Sequence, residues 1–290
     1  MESTDAPSDF DEPSIEPLPA GPLWHYTTTA GLLGILGNVA KPAETGKPRS
    51  GTYKPVLHAS ASQFLNDQRE LTLGLGLMKD FLEIYAEREM FDHNQDAKTF
   101  IGAVCMAIQD IIDQKYPHYL HCSTVSFSTE PDSLSQWRAY GQGTGGFAIG
   151  FDPSMFPRNH TLERRAGIGL QKVTYVSDTL EQPLLDAFNL FVAQALTDSP
   201  AEKPTDLAVH KAVQRLAFPS AGVKHLGFAG EREWRFVEPG FGLMPGESND
   251  PDFKAGAAGL VPYRTIELPA DAVTGVWGSS PRAWCTTVVA

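Results

Sequence analysis

Apolar residues along this chain recur at two different spacings, and the order in which the spacings change is incompatible with a regular α/β repeat. Phe100, Val104, Ile108, Ile111 and Ile112 recur at helical spacing and predict a helix over about 95–115. Directly afterwards, YLHCSTVSFS at 119–128 carries the β-branched and aromatic residues of a strand. Further strands are expected at 23–27, 146–151 (GFAIGF), 170–176, 233–237, 263–267 and 273–278. Helices are expected after Thr28 or Thr29 through AGLLGILG, over 62–90 with Gly74 and Gly76 weakening the middle, and over 133–140, 178–197 and 204–217. No βαβ series and no internal repeat emerges. The pattern is that of an α+β protein, with mixed, mostly antiparallel central sheets and flanking helices.

Residues 1–20 read differently from the rest. They hold four prolines and six acids with no base, so this tail accounts for half of the net charge of −12. Few apolar groups there could offset the entropy of ordering, and a disordered or loosely docked tail is expected. Residues 21–290 read as a single α+β domain with a helical insertion around 62–116. The acidic balance argues against a generic nucleic-acid coat, although a local patch could still contact one. No apolar run is long enough to span a membrane, and no basic-then-apolar leader opens the chain. Cys105, Cys122 and Cys285 are odd in number and widely spaced, which suggests neither disulfides nor zinc and fits a cytoplasmic protein. No metal site is expected: the one close histidine pair, His118 and His121, would point to opposite faces of a strand.

Four segments could carry chemistry. In HYTT at 25–28, His25 and Thr27 could hold a ligand by ring nitrogen and hydroxyl, or His25 could be bonded to backbone. In SFS at 126–128, Ser126 and Ser128 share one face of a strand, and face a cleft or solvent if Val125 and Phe127 face the core. SQWRAYG at 135–141 follows, where Trp137 and Tyr140 share a helix face and Arg138 turns away. That group could cradle a planar or anionic ligand, or be a buried Trp with a structural ion pair. EREWRF at 231–236 places Glu231 and Glu233 two apart, so on an extended chain both carboxylates could meet one ligand; a solvated charge run is the bland alternative. The Gly-rich GQGTGG precedes a strand instead of opening a helix, so a hairpin turn accounts for it better than a dinucleotide fingerprint.

Taken together, LWHYTTTAGLLGIL, FLNDQRE, SFSTEPDSLSQWRAYGQGTGGFAIGFD and GVKHLGFAGEREWRFV resemble the bacterial domain of unknown function 2971 family over roughly 22–280. A strand with HxT followed by a helix is also similar, more distantly, to the opening of ADP-ribosyltransferase-like proteins, including DarT-type toxins and RNA 2′-phosphotransferases. That resemblance implies an ADP-ribosyltransferase-like fold and NAD as substrate. His25, Tyr26, Thr27, Ser126, Ser128, Trp137, Arg138 and Tyr140 would then bind it, and Glu233, Glu231 and His25 would act on it. By the same resemblance the activity is NAD-dependent ADP-ribosyl transfer or NAD hydrolysis, in a toxin or phage-defence setting. A protein or nucleic-acid acceptor, and a protein partner from the same operon, belong to that picture. The alternatives are a non-catalytic nucleotide or small-molecule sensor and a metal-dependent phosphodiesterase or nuclease.

Overall fold

The computed structural model describes residues 17–36, 54–64, 69–113, 122–141, 145–157, 168–177, 179–197, 205–239, 252–256, 259–279 and 284–285. Most of the acidic tail, the His118/His121 pair and the centre of FLNDQRE lie outside these residues.

The chain opens with β1 (Leu23–Thr28) and α1 (Thr29–Leu36), then β2 (Val56–Ala61), α2 (Arg69–Ala86), α3 (Gln95–Ile112), β3 (Cys122–Ser128) and α4 (Leu134–Tyr140). There follow β4 (Gly146–Phe151), β5 (Gly169–Lys172), β6 (Thr174–Val176), α5 (Gln182–Thr197), α6 (Asp206–Ala221), β7 (Val223–His225) and β8 (Glu233–Pro239). The strands β9 (Asp252–Gly256), β10 (Gly259–Glu267), β11 (Val273–Gly278) and β12 (Trp284–Cys285) complete the order. The fold is α+β, as the mixed periodicities imply.

One sheet runs β12-β11-β4-β1-β3-β2-β10-β9, with β8 on the other edge of β3 and β5 beyond it; β6 and β7 form a separate parallel pair. Every pairing in the large sheet is antiparallel. The expected strand over 170–176 is therefore two strands in different sheets. Sequence periodicity did not single out β2. The Gly-rich stretch joins α4 to β4, so it is no hairpin between strands; its residues 142–144 lie outside the described set.

Two apolar cores follow from this layout. One face of the sheet buries Leu23, Phe127, Ile149, Phe151, Trp234 and Phe236, with α1 contributing Ile35. The second core lies among α2, α3, α5 and α6 and holds Met78, Phe81, Phe100, Ile108, Phe188 and Leu216. Each such side chain, fully buried, contributes about 1.5–3 kcal/mol. The helical layer thus draws on 182–221 as well as on the segment around 62–116. In α1, Leu33 faces outward, whereas Thr28 receives the Gly31 N–H at 3.1 Å as the expected cap.

The glycines of α2 have different jobs. A Cβ on Gly74 would come within 2.0 Å of the Ser220 carbonyl oxygen in α6, whereas a Cβ on Gly76 would meet nothing within 4 Å. Gly74 is thus the point where two helix backbones touch, not a kink. Replacing Gly74 by Ala should destabilise the fold by about 1–3 kcal/mol through overpacking. Gly76→Ala should instead be neutral or stabilising by up to about 1 kcal/mol through helix propensity. Urea unfolding of the two variants checks the contrast.

Candidate functional site

Strand register brings three of the four sequence segments together, and SQWRAYG, on α4, joins them through the contact of Trp137 with Tyr26. Ser128 on β3 is opposite Trp24 on β1 and also opposite Glu233 on β8. HYTT, SFS and EREWRF therefore occupy three neighbouring strands, with the serine segment in the middle. Cross-strand partners share a sheet face. Trp24, Tyr26, Ser126, Ser128, Glu233 and Arg235 consequently lie on one face. His25 lies in the row of Phe127 and Trp234, which belong to the apolar core of the opposite face. Its ring centroid is 5.8 Å from that of Phe127. The structure does not bring His25 and Glu233 onto the same face.

What His25 does follows from a fork in the sheet. On one edge, β3 pairs with β2 through Ser123 and Thr124, and with β1 through Ser128. Continuing either ladder would bring a strand against Ser126, but β1 and β2 diverge there. The His25 Nδ1 lies 3.0 Å from the Ser126 carbonyl oxygen and fills the fork. Burial lowers the His25 pKa, the Ser126 hydrogen bond pulls the other way, and the charge of Lys254 lowers it further. The backbone-bonded alternative is the one the structure contains.

The carboxylate side of the site is a buried charged cluster. Glu233 Oε1 accepts from Arg235 Nε at 2.7 Å, and its Oε2 accepts from Arg235 Nη2 at 2.9 Å and from Lys224 Nζ at 2.9 Å. Lys224 Nζ also donates to Glu231 Oε2 at 2.7 Å. Arg235 Nη1 donates to the Ala221 carbonyl at the end of α6, where a helix dipole favours a cation. Burial alone would raise the Glu233 pKa, but Arg235, Lys224 and a Ser126 hydrogen bond outweigh it and hold the group at about 2. Two cations and two carboxylates make the cluster neutral. Side chains of Lys224, Glu233 and Arg235 are almost wholly buried, whereas Glu231 remains 21% exposed.

The two glutamates do not meet because of strand periodicity. Glu231 ends a 3-10 segment, Leu226–Glu231, and β8 starts only at Glu233. Between them, Arg232 takes a left-handed conformation with φ of 47°, which is unfavourable for a side chain of this size. Its carbonyl accepts from the Thr129 N–H at 3.3 Å, and its guanidinium pairs with Glu130. That kink turns both carboxylates toward Lys224. The Glu233 N–H donates to the Tyr175 hydroxyl at 2.8 Å.

Serine and aromatic residues close the other end. Ser128 Oγ donates to the Glu231 carbonyl at 2.8 Å and accepts from the Glu130 N–H at 3.1 Å. Tyr26 Oη donates to the Glu130 carbonyl at 2.6 Å and accepts from the Ser133 N–H at 2.9 Å. Burial pushes the Tyr26 phenol up to about 12. Trp137 meets Tyr26 edge-on, with centroids 4.6 Å apart, and its Nε1 donates to Asp132 at 2.7 Å. Arg138 is exposed, Tyr140 is half-buried, and a Cβ on Gly31 would collide with Thr27 Oγ1 at 1.9 Å. Thr27 thus packs against its own helix start. Lys224 and Tyr175 had no sequence signal of their own, although Lys224 lies within the GVKHLGFAGEREWRFV block.

Among the described residues, no group of three or more His, Cys, Asp or Glu could hold a metal ion. No helix of the described residues is long and apolar enough to cross a membrane. The class defined by fold and site is thus an α+β protein with a neutral, buried Lys–Glu–Arg cluster at the junction of sheet and helices. Residues 136–236 match the model of a family described as protein of unknown function (DUF2971), which supports the family assignment made from the sequence blocks. The match runs from α4 to β8 and includes most of SQWRAYG and all of EREWRF. No curated protein and no solved structure matches the chain.

Glu233→Gln should cost about 3–5 kcal/mol, because Arg235 and Lys224 would be left buried and undercompensated. The depressed pKa also fixes a pH dependence. Stability from Glu233 is fully present above the ordinary carboxylate value of 4.5 and is lost as pH falls toward about 2. The span corresponds to about 3 kcal/mol. Urea unfolding of wild type and variant between pH 6 and roughly pH 2 should show that component in wild type alone.

Proposed function

We propose that the chain cleaves the nicotinamide–ribose bond of NAD, as an ADP-ribosyltransferase or NAD glycohydrolase-like enzyme, with Glu231 as the carboxylate that meets the ligand. The supporting observation is the juxtaposition of β1, β3 and β8 through Ser128, in the order the distant resemblance implies. Chemistry then separates the two glutamates. Both oxygens of Glu233 are occupied and the group is ionised far below neutral pH, so it anchors the cluster. Glu231 keeps one oxygen outside the Lys224 contact and is partly exposed.

In this reading the glycosidic C–N bond breaks with its electron pair leaving on nicotinamide. The ribose carbon gains positive charge, which a preorganised carboxylate stabilises. Water or an acceptor hydroxyl then attacks that carbon and releases a proton. Tyr26 and Trp137 form an aromatic wall at the Ser128 end of the face, and Ser126 and Ser128 hold the carboxylate-bearing segments in place.

Incubation with NAD and measurement of released nicotinamide tests this. Wild type should release it, and Glu231→Gln should lower the rate about 10²-fold or more, measured at a temperature where the variant's melting curve shows it folded. Absence of release, or equal rates for wild type and Glu231→Gln, overturns the assignment. A non-catalytic sensor is the second reading, favoured by the Lys224–Glu231 contact, which already partners the exposed carboxylate. It predicts ligand-induced stabilisation with NAD left intact.

A further inference from the structure

The fork that His25 fills has a second bank. Beyond β2, strand β10 pairs with β2 and β9 pairs with β10. Tyr263 is opposite Ser60, which is opposite Thr124, so Tyr263 shares the sheet face of Thr124 and Ser126. His58 is two residues from Ser60 on β2, and Lys254 is opposite Val261, two residues from Tyr263. All three therefore lie on the face that also carries the carboxylate cluster.

They form a compact group. The His58 imidazole stacks on the Tyr263 ring with centroids 4.0 Å apart and planes at 25°. Lys254 Nζ is 5.6 Å from the centre of the same ring and 3.5 Å from the His58 carbonyl oxygen. Among the described residues Lys254 has no carboxylate in ion-pair range, which contrasts with Lys224 and its two glutamates. Burial lowers the Lys254 pKa. Asp252 is the acid whose charge reaches His58, against the larger effects of burial and Lys254. A half-buried ammonium beside the Tyr263 ring, with a long contact to one carbonyl, retains donor capacity suited to an anion.

We propose that Lys254 and His58 on the β2–β10–β9 shelf form a binding subsite for the phosphate groups of a nucleoside di- or polyphosphate. Lys254 supplies the charge, the His58 ring supplies a nitrogen donor, and Tyr263 fixes the orientation of both. The Lys254 charge reaches His25 in the fork. The subsite deepens the NAD reading, on which only the naming of the diphosphate as that of NAD depends.

Titration calorimetry with ADP, compared with adenosine, tests the subsite without requiring any bond cleavage. Wild type should bind ADP and not adenosine. Lys254→Met should weaken ADP binding about tenfold or more, Lys254→Arg should retain it, and His58→Phe, which keeps the stack, should weaken it less. Melting temperatures of the variants, on exposed or half-buried positions, report that folding is intact. No ADP binding by wild type, or equal affinity in Lys254→Met, overturns the proposal. ADP binding that depends on Lys254, together with intact NAD after incubation, would sink the cleavage reading and leave the subsite standing.

Discussion

The bidentate contact of Arg235 with Glu233 is the constraint around which the rest is arranged. A carboxylate this deeply buried would carry a large desolvation penalty alone. Three groups offset it: the guanidinium on the same strand, the Lys224 ammonium from β7, and a Ser126 hydrogen bond from β3. Arg235 then reaches the last turn of α6 through the Ala221 carbonyl. The cluster is thus the polar joint between two apolar cores, one on the far face of the sheet and one among the helices. Apolar residues could fill the same volume. They would not fix the register of β3 against β8, the end of α6 and the position of β7 at once, since dispersion contacts lack direction and charge-assisted hydrogen bonds have it.

That joint also explains why the sheet can fork beside it. β8 pairs with β3 along its whole length, from Cys122 to Ser128, so one edge of β3 is held continuously. The other edge is free to be shared between β1 and β2. Sharing leaves the Ser126 carbonyl without a strand partner, and an unpaired buried carbonyl is costly. His25 meets that need with a ring nitrogen, which ties HYTT to SFS by a side chain where the ladder stops. Its position in the fork, between the apolar core and the Lys254 shelf, makes His25 a structural part of any cleft there.

Much of this architecture was legible in the sequence because period determines exposure. Val125 and Phe127 against Ser126 and Ser128 gave one strand and its two faces, and Phe100, Val104 and Ile108 gave a helix. The order HYTT, SFS, EREWRF became spatial adjacency through pairing. Other features have no local signal. β2 reads VLHASA, with a single β-branched residue and two alanines, so its strand propensity is weak and its partners β3 and β10 identify it. LQKVTYV reads as one strand, yet Val173 donates to the Glu233 carbonyl at 3.0 Å and the chain changes sheet there. Lys224 is seven residues from Glu231, a distance that suggests nothing until β7 and the 3-10 turn fold it back. His25 looked like a member of the carboxylate face, and one residue of register placed it in the other row, since alternation flips the side chain at each step.

The spacing ExE acquires a physical meaning from the backbone between its two acids. On a continuous strand, both side chains would leave the same face about 7 Å apart and could be treated as equivalent. Here Arg232 interrupts the strand with a left-handed turn, held from outside by Thr129 and Glu130. The turn makes the pair inequivalent. Glu233 enters the sheet and becomes saturated, whereas Glu231 stays on the 3-10 segment, bound to the same ammonium but open to solvent. Lys224 bonds both acids at once, whereas Arg235 bonds Glu233 alone of the two. The two acids are thereby separated into a saturated anchor within the sheet and a partly exposed carboxylate at its border.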